Sequence, residues 1–247
     1  MDKTIIAFIP ARSGSQRILH KNVKDFFGHP LMAYAIEGAK QAGIFKRIIV
    51  SSNSLEYRIT AHGYGAESLW RIFSANEPLS PDVEWITTAI RDIEYGGNKY
   101  DYYAILRPTN PFRQPETIVR AWKQLLDYGT EFDSLKAYTR CYVNPNKIWE
   151  ILKYDNIRDY MIPIREDIPQ AYNFPLQAFD LKHTYGDQVG FLDICKWDNI
   201  KEYKNQFGRL ISPFYVDSNE AFDINTPDDW EYAEFMKKKG KVKLVEI

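Results

Sequence analysis

Short apolar runs alternate with amphipathic stretches along most of the chain. Residues 4–9 (TIIAFI), 46–52 (KRIIVSS) and 101–106 (DYYAIL) are brief, nearly continuous in apolar character and bounded by turn residues. Strands buried on both faces look like this. Between them the spacing predicts helices. One runs from Pro30 to Ala42, with Pro30 in its first turn and Gly43 past its end. Others run from Ser54 to about Tyr64, from Asp82 to about Tyr95 and from Gln114-Pro115 to Tyr128-Gly129. This order predicts an α/β fold, a mainly parallel sheet covered by helices.

Past residue 140 the rhythm breaks. Residues 141–185 hold four prolines and many aromatics without helical periodicity, and read as strands and extended loops. A long irregular segment in a compact domain serves as a lid, a binding arm or an oligomer contact. Strand patterns resume at GDQVGFLDI and RLISPFYV. A closing helix follows in TPDDWEYAEFMKKK, with Thr226 as N-cap, Pro227 in the first turn and acids after it. The last residues, KKKGKVKLVEI, read as a solvated tail.

Composition narrows the function. The 247 residues suit a single domain, 1–247, with 141–185 as an arm. With 32 basic against 33 acidic residues the net charge is -1, so no global field draws nucleic acid and any basic site is local. Cys141 and Cys195 stand in no metal-ligand spacing, and His20, His29, His62 and His183 in none either. Only His183, near the expected arm, is a candidate for touching substrate. No stretch approaches ~20 apolar residues and no signal segment is evident, so a cytoplasmic protein without a membrane partner is expected. Trp70, Trp85, Trp122 and Trp230 read as core.

Three loops carry candidate chemistry. The first, PARSGSQRILHKN, follows the opening strand, where open α/β sheets place ligands. Small residues there leave backbone N–H groups uncovered to cradle a phosphate, and Arg12, Arg17 and Lys21 add charge. Its spacing fits neither GxxxxGK[ST] nor GxGxxG, and a solvated turn is the alternative. The second, LRPTNPFR, is stiffened by two prolines and projects Arg107 and Thr109. An ordinary rigid turn explains it equally well. In the third, EAFDINTPDDW, Asp223 precedes a helix and can hold a hard cation, whereas Asp228 and Asp229 suit the helix dipole.

Together these loops resemble the cytidylyltransferases that activate acidic sugars, the CMP-N-acylneuraminate (sialic and nonulosonic acid) synthetases. PARSGSQRILHKN matches the family's first loop at Pro10, Ala11, Arg12, Gly14, Ser15, Lys21 and Asn22. GHPLMAYAIEGAKQAGIFKRIIVSSN is similar to its next helix and strand, LRPTNPFR to its Pro-Thr-x-Pro loop, and FDINTPDDW to its metal-binding motif. The likeness spans residues 4–235 and is weakest between about 140 and 185. It implies a three-layer αβα, mainly parallel (mixed) Rossmann-like nucleotidyltransferase sheet with a dimerisation arm. It also implies Mg²⁺ (or Mn²⁺) as cofactor, CTP and an acidic small-molecule acceptor as ligands, and a homodimer. Carried over, the resemblance puts Pro10, Ala11, Arg12, Ser13, Gly14, Ser15, Gln16, Lys21, Asn22 and Arg71 on the nucleotide. Arg12, Lys21 and Asp223 become catalytic, and Asp223 with Asn225 holds the metal. Arg107, Thr109, Asn110, Asp187 and Gln188 meet the acceptor.

Four departures from the family stand out, and Arg107 adds a further substitution. Gln16 stands where a lysine is usual, with Arg17 beside it as a replacement, and Asn53 stands for an aspartate. The 71–82 stretch lacks an evident nucleotide-site aspartate, and Asn225 replaces the second aspartate of the metal motif. Arg107 replaces a glutamine and offers a bidentate clamp for a carboxylate, phosphonate or phosphate. Three readings stay open: CMP transfer to an acidic sugar, the same chemistry on a phosphonate or phosphorylated molecule or with another base, and a degenerate nucleotide-binding protein.

Overall fold

The computed structural model describes residues 3–71, 80–141, 143, 145–153, 159–164 and 186–247. They fall into two compact units, Met1–Tyr138 with Gln188–Ile247, and Thr139–Asp187. The larger is built on a mixed, mainly parallel sheet of seven strands, in the order β11-β7-β10-β6-β1-β4-β5. At its centre β1 (Ile5–Pro10) lies parallel to β4 (Ile48–Ser52) and β6 (Tyr102–Ile105). β10 (Gly186–Lys196) runs antiparallel to β6. The outer strands are β5 (Glu67–Trp70), β7 (Ser134–Arg140) and β11 (Ile211–Tyr215). A two-residue hairpin, β2 (Asp25–Phe26) and β3 (His29–Pro30), precedes the first helix.

The continuous apolar runs have the cause expected of them. Ile5, Ala7 and Ile9 join one core layer with α1 (Leu31–Ala42), α2 (Leu55–Gly63) and α4 (Pro115–Asp127), while Ile6 and Phe8 join another with α3 (Asp82–Tyr95). β6 divides the same way, with Tyr102 and Ala104 against Tyr103 and Ile105. The sheet is therefore buried on both sides, as three αβα layers. Each large apolar side chain so buried contributes roughly 1.5–3 kcal/mol. A third cluster seats α6 (Pro227–Lys238) through Trp230 and Met236 against Phe26, Tyr34 and Phe112. No helix among the described residues is long and apolar enough to cross a membrane.

Several expectations are corrected. Pro30 precedes its helix as the N-cap residue rather than lying in the first turn. Trp70 is 51% exposed, because β5 is the edge of the sheet. The terminal residues are not a solvated tail, since Val242 and Val245 are buried and Gln114 Nε2 donates to the Lys243 carbonyl. The pattern did not predict β5, β7 or the short α5 (Asn199–Tyr203).

The smaller unit contains a hairpin of β8 (Trp149–Lys153) and β9 (Asp159–Pro163), antiparallel with Ile151 opposite Met161. Residues 165–185, with His183, lie outside the described residues, as does 72–79 in the larger unit.

Candidate functional site

β1 and β6 end side by side, and a cleft of about 540 Å³ opens at their carboxyl ends. Its first wall is the loop leaving β1, through Pro10, Arg12, Ser15, Gln16, Arg17, Lys21 and Asn22. The loop leaving β6 brings Arg107, Pro108 and Thr109, and the approach to α6 brings Asn225. Arg71, Ser80 and Asp82 complete the lining. Five cations against one carboxylate make this surface suited to a polyanion.

The first loop is held by side chains reaching to its backbone. Ser13 N–H donates to Asn53 Oδ1 at 2.9 Å, and Asn22 Nδ2 donates to the Arg12 carbonyl at 3.1 Å. Asn53, a departure from the family pattern, thus contributes an acceptor oxygen as an aspartate would. Ala11 is buried and tied to Ser51, while Gly14 faces open space. Gln16 is exposed on the cleft wall, and Arg17 beside it supplies a cation there.

Lys21 links this loop to the third. Its ammonium donates to the Ile224 carbonyl at 2.7 Å. Burial lowers its pKa below the ordinary lysine value, while Asp223 acts to raise it. Ile224 N–H in turn donates to the Thr109 carbonyl at 2.9 Å. One residue's main chain therefore joins all three loops. Asn225 is set by Asp229, whose carboxylate accepts from the N–H groups of Asn225 and Thr226 as part of a capping box.

Asp223 has an amide on each oxygen, Asn110 Nδ2 at 3.1 Å and Asn225 Nδ2 at 2.7 Å. Among the described residues no three His, Cys, Asp or Glu side chains gather as a metal cluster. One carboxylate and a rotatable amide, whose oxygen can turn toward it, fit a hard cation that draws its remaining oxygens from polyphosphate and water.

Arg71 is 6% exposed, its guanidinium 4.9 Å from the Trp85 ring centroid. Burial lowers its pKa to about 10, with Asp82 acting to raise it and Arg12 and Arg107 to lower it. Arg107 pairs through Nη2 with Asp82 and lies 3.9 Å from Asp193. Gln188 is exposed on β10 and absent from the cleft lining, and Asp187 belongs to the smaller unit.

Residues that sequence reasoning passed over complete the arrangement. Asp82, read only as a helix start, puts an aspartate in the cleft where the 71–82 stretch had promised none. Arg113 is buried, donating from Nε to the Phe191 carbonyl at 2.8 Å and from Nη2 to the Arg107 carbonyl at 2.9 Å. It fastens the second loop to β10. Its position in LRPTNPFR was the one available signal.

Comparison with known proteins is consistent with this architecture. The family model described as cytidylyltransferase matches residues 6–209. The N-acylneuraminate cytidylyltransferase of Escherichia coli O18:K1:H7 is 28% identical over 99% of this chain, which spans 55% of that relative's length. The CMP-N,N'-diacetyllegionaminic acid synthase of Legionella pneumophila is 27% identical over 98% of this chain and 99% of its own. Among solved structures, a CMP:2-keto-3-deoxy-manno-octonic acid synthetase complexed with CTP superposes with a TM-score of 0.67. It covers 96% of this chain and 99% of its own at 15% identity, a likeness of fold.

Proposed function

Because the chain belongs to the cytidylyltransferase family, we propose that it transfers CMP from CTP to an acidic sugar of the sialic or nonulosonic class and releases pyrophosphate. The observation that carries this reading is the junction at Ile224, which draws the three loops together around one cationic cleft.

In this reading the 10–22 loop takes the triphosphate. Arg12, Arg17 and Lys21 offset its charge, and the small residues 13–15 allow close approach of their backbone. Arg71 lies toward the nucleotide. Arg107, Thr109 and Asn110 position the acceptor, with Asp187 and Gln188 as further candidates. The acceptor's anomeric hydroxyl loses its proton to solvent, and its oxygen forms a bond to the α-phosphorus as the bond to the departing pyrophosphate breaks. Holding these atoms in line and neutralising charge is most of what the protein contributes. Mg²⁺ or Mn²⁺, when bound, would be held by Asp223 and Asn225 and would offset phosphate charge.

Arg107 and Lys136 are balanced by Asp82 and Asp193. That balance leaves less surplus charge for a doubly charged phosphonate than Arg107 alone suggests, and so favours a carboxylate sugar. A second copy of the chain, with 141–185 as its arm, and a cytoplasmic location near the CTP pool go with this reading.

Incubation with each nucleoside triphosphate, Mg²⁺ and a panel of nonulosonic acids, phosphonates and phosphorylated sugars tests it through pyrophosphate release. Turnover is expected with CTP and a nonulosonic acid. Turnover confined to phosphonates, or CTP binding without turnover, would replace this reading. Asp223→Asn, which keeps the shape and removes the charge, should lower kcat by about 100-fold. Full activity of that variant would remove Asp223 from the machinery.

A further inference from the structure

The charges around Arg107 share one face of the sheet. Tyr103 and Ile105 face the α3 layer, and Arg107 continues that alternation two residues on. Asp193 pairs in register with Ile105, is 6% exposed in its side chain, and is met by Lys136 from β7 at 3.2 Å. From the other side comes Asp82. Trp85 Nε1, on a buried ring, donates to one oxygen of Asp82 at 2.8 Å, and the start of α3 favours a carboxylate there. The second oxygen takes Arg107 Nη2. One corner of the guanidinium is therefore held between two carboxylates fixed on separate elements. Gly190 makes room for the stem, because a Cβ there would lie 2.9 Å from Arg107 Cδ.

Asp82 and Asp193 offset Arg107 and Lys136, with Arg71 also near enough to act on Asp82, and what Asp82 adds for Arg107 is direction. A guanidinium is planar, and anchoring its stem and one corner fixes the plane in which its remaining N–H groups lie. Two parallel bonds to a carboxylate depend on that plane.

We propose that Asp82 is a positioning residue that orients Arg107 and so governs which acceptor the cleft takes, with Gly190 as the clearance that permits it. This rests on the reading of Arg107 as an acceptor contact. Asp82→Asn retains the shape and an oxygen for Trp85 but removes the charge that holds Arg107.

The test measures steady-state kinetics with CTP and either N-acetylneuraminate or N,N'-diacetyllegionaminic acid, whichever the parent chain uses. Asp82→Asn and Gly190→Ala should each raise the acceptor KM about tenfold, change the CTP KM by less than about twofold and lower kcat by less than the acceptor KM rises. A loss of structure alone would not produce that split. An unchanged or lowered acceptor KM overturns the proposal, and so does a CTP KM that rises in step. Arg107→Gln separates the two layers. If it leaves the acceptor KM at the parent value, the acceptor reading of Arg107 fails and Asp82 falls with it. If it raises KM while Asp82→Asn does not, positioning alone fails. Should neither acceptor turn over, a crystal structure of Asp82→Asn decides, with Arg107 expected to leave its place and an unmoved guanidinium overturning the proposal.

Discussion

Lys21→Met is expected to lower kcat/KM for CTP by about 1,000-fold, close to 4 kcal/mol of transition-state stabilisation. The ammonium lines the cleft and spends one proton on the Ile224 carbonyl at 2.7 Å, which leaves two for phosphate oxygens. Partial burial limits solvent screening, so its charge acts more strongly than an exposed lysine's. Methionine keeps the length and apolar stem while removing all three donors. Because burial lowers the lysine's pKa, its charge is lost at a lower pH than usual. CTP affinity should accordingly decline on the alkaline side before an ordinary lysine would titrate. Steady-state kinetics with a melting curve on the same sample check this. A loss under about tenfold, in a variant that melts normally, would rule out Lys21 as a phosphate ligand.

Gly208→Ala should cost about 3–5 kcal/mol of stability, by strain and lost hydrogen bonds together. Gly208 has φ of 74°, and a Cβ there would lie 2.3 Å from Asp133 Cβ. Asp133 cannot withdraw cheaply. Its carboxylate accepts from Arg209 N–H at 2.8 Å, Leu210 N–H at 3.2 Å and Lys196 Nζ at 2.9 Å. Those bonds fasten the chain entering β7 to the end of β10 and the approach to β11. Chemical denaturation provides the measurement, and a loss below about 1 kcal/mol would show that the turn re-forms without strain.

Much of the frame was legible because its signals are local. β1, β4 and β6 are buried on both faces, so their apolar character shows within a few residues. Thr226 and Asp229 mark a helix start three residues apart, and Gly43 marks an end with φ of 67°. The three loops also announced themselves, the first by proline, glycine and clustered cations, the second by two prolines between arginines, and the third by acids around a proline.

What stayed hidden depends on neighbours distant in sequence. The Asp82–Arg107 pair joins residues 25 apart, and Asp193 meets Lys136 across 57. Gly190 reads as one more residue of an apolar strand until β10 is laid against β6, when the Arg107 stem fills the space its missing side chain leaves. β7 escaped because Ser134, Lys136 and Thr139 interrupt the continuous apolar run by which the central strands were recognised, yet Ser134 and Thr139 are buried along with Leu135 and Ala137. In the terminal stretch the lysines drew attention from Val242 and Val245, which pack into the core. Trp70 misled in the opposite direction. At the sheet edge its ring carries the Arg58 guanidinium at 5.3 Å instead of joining the core.

The junction at Ile224 has a consequence for how this protein can change over generations. Ile224 enters both of its bonds through main-chain atoms, which every residue type but proline supplies in full, so Lys21 is the one side chain the junction requires. Substitutions at position 224 therefore vary the packing beneath the cleft while leaving the connection between its loops in place. Side chains around it can drift toward new acceptors without the lineage having to reinvent the joint that holds them.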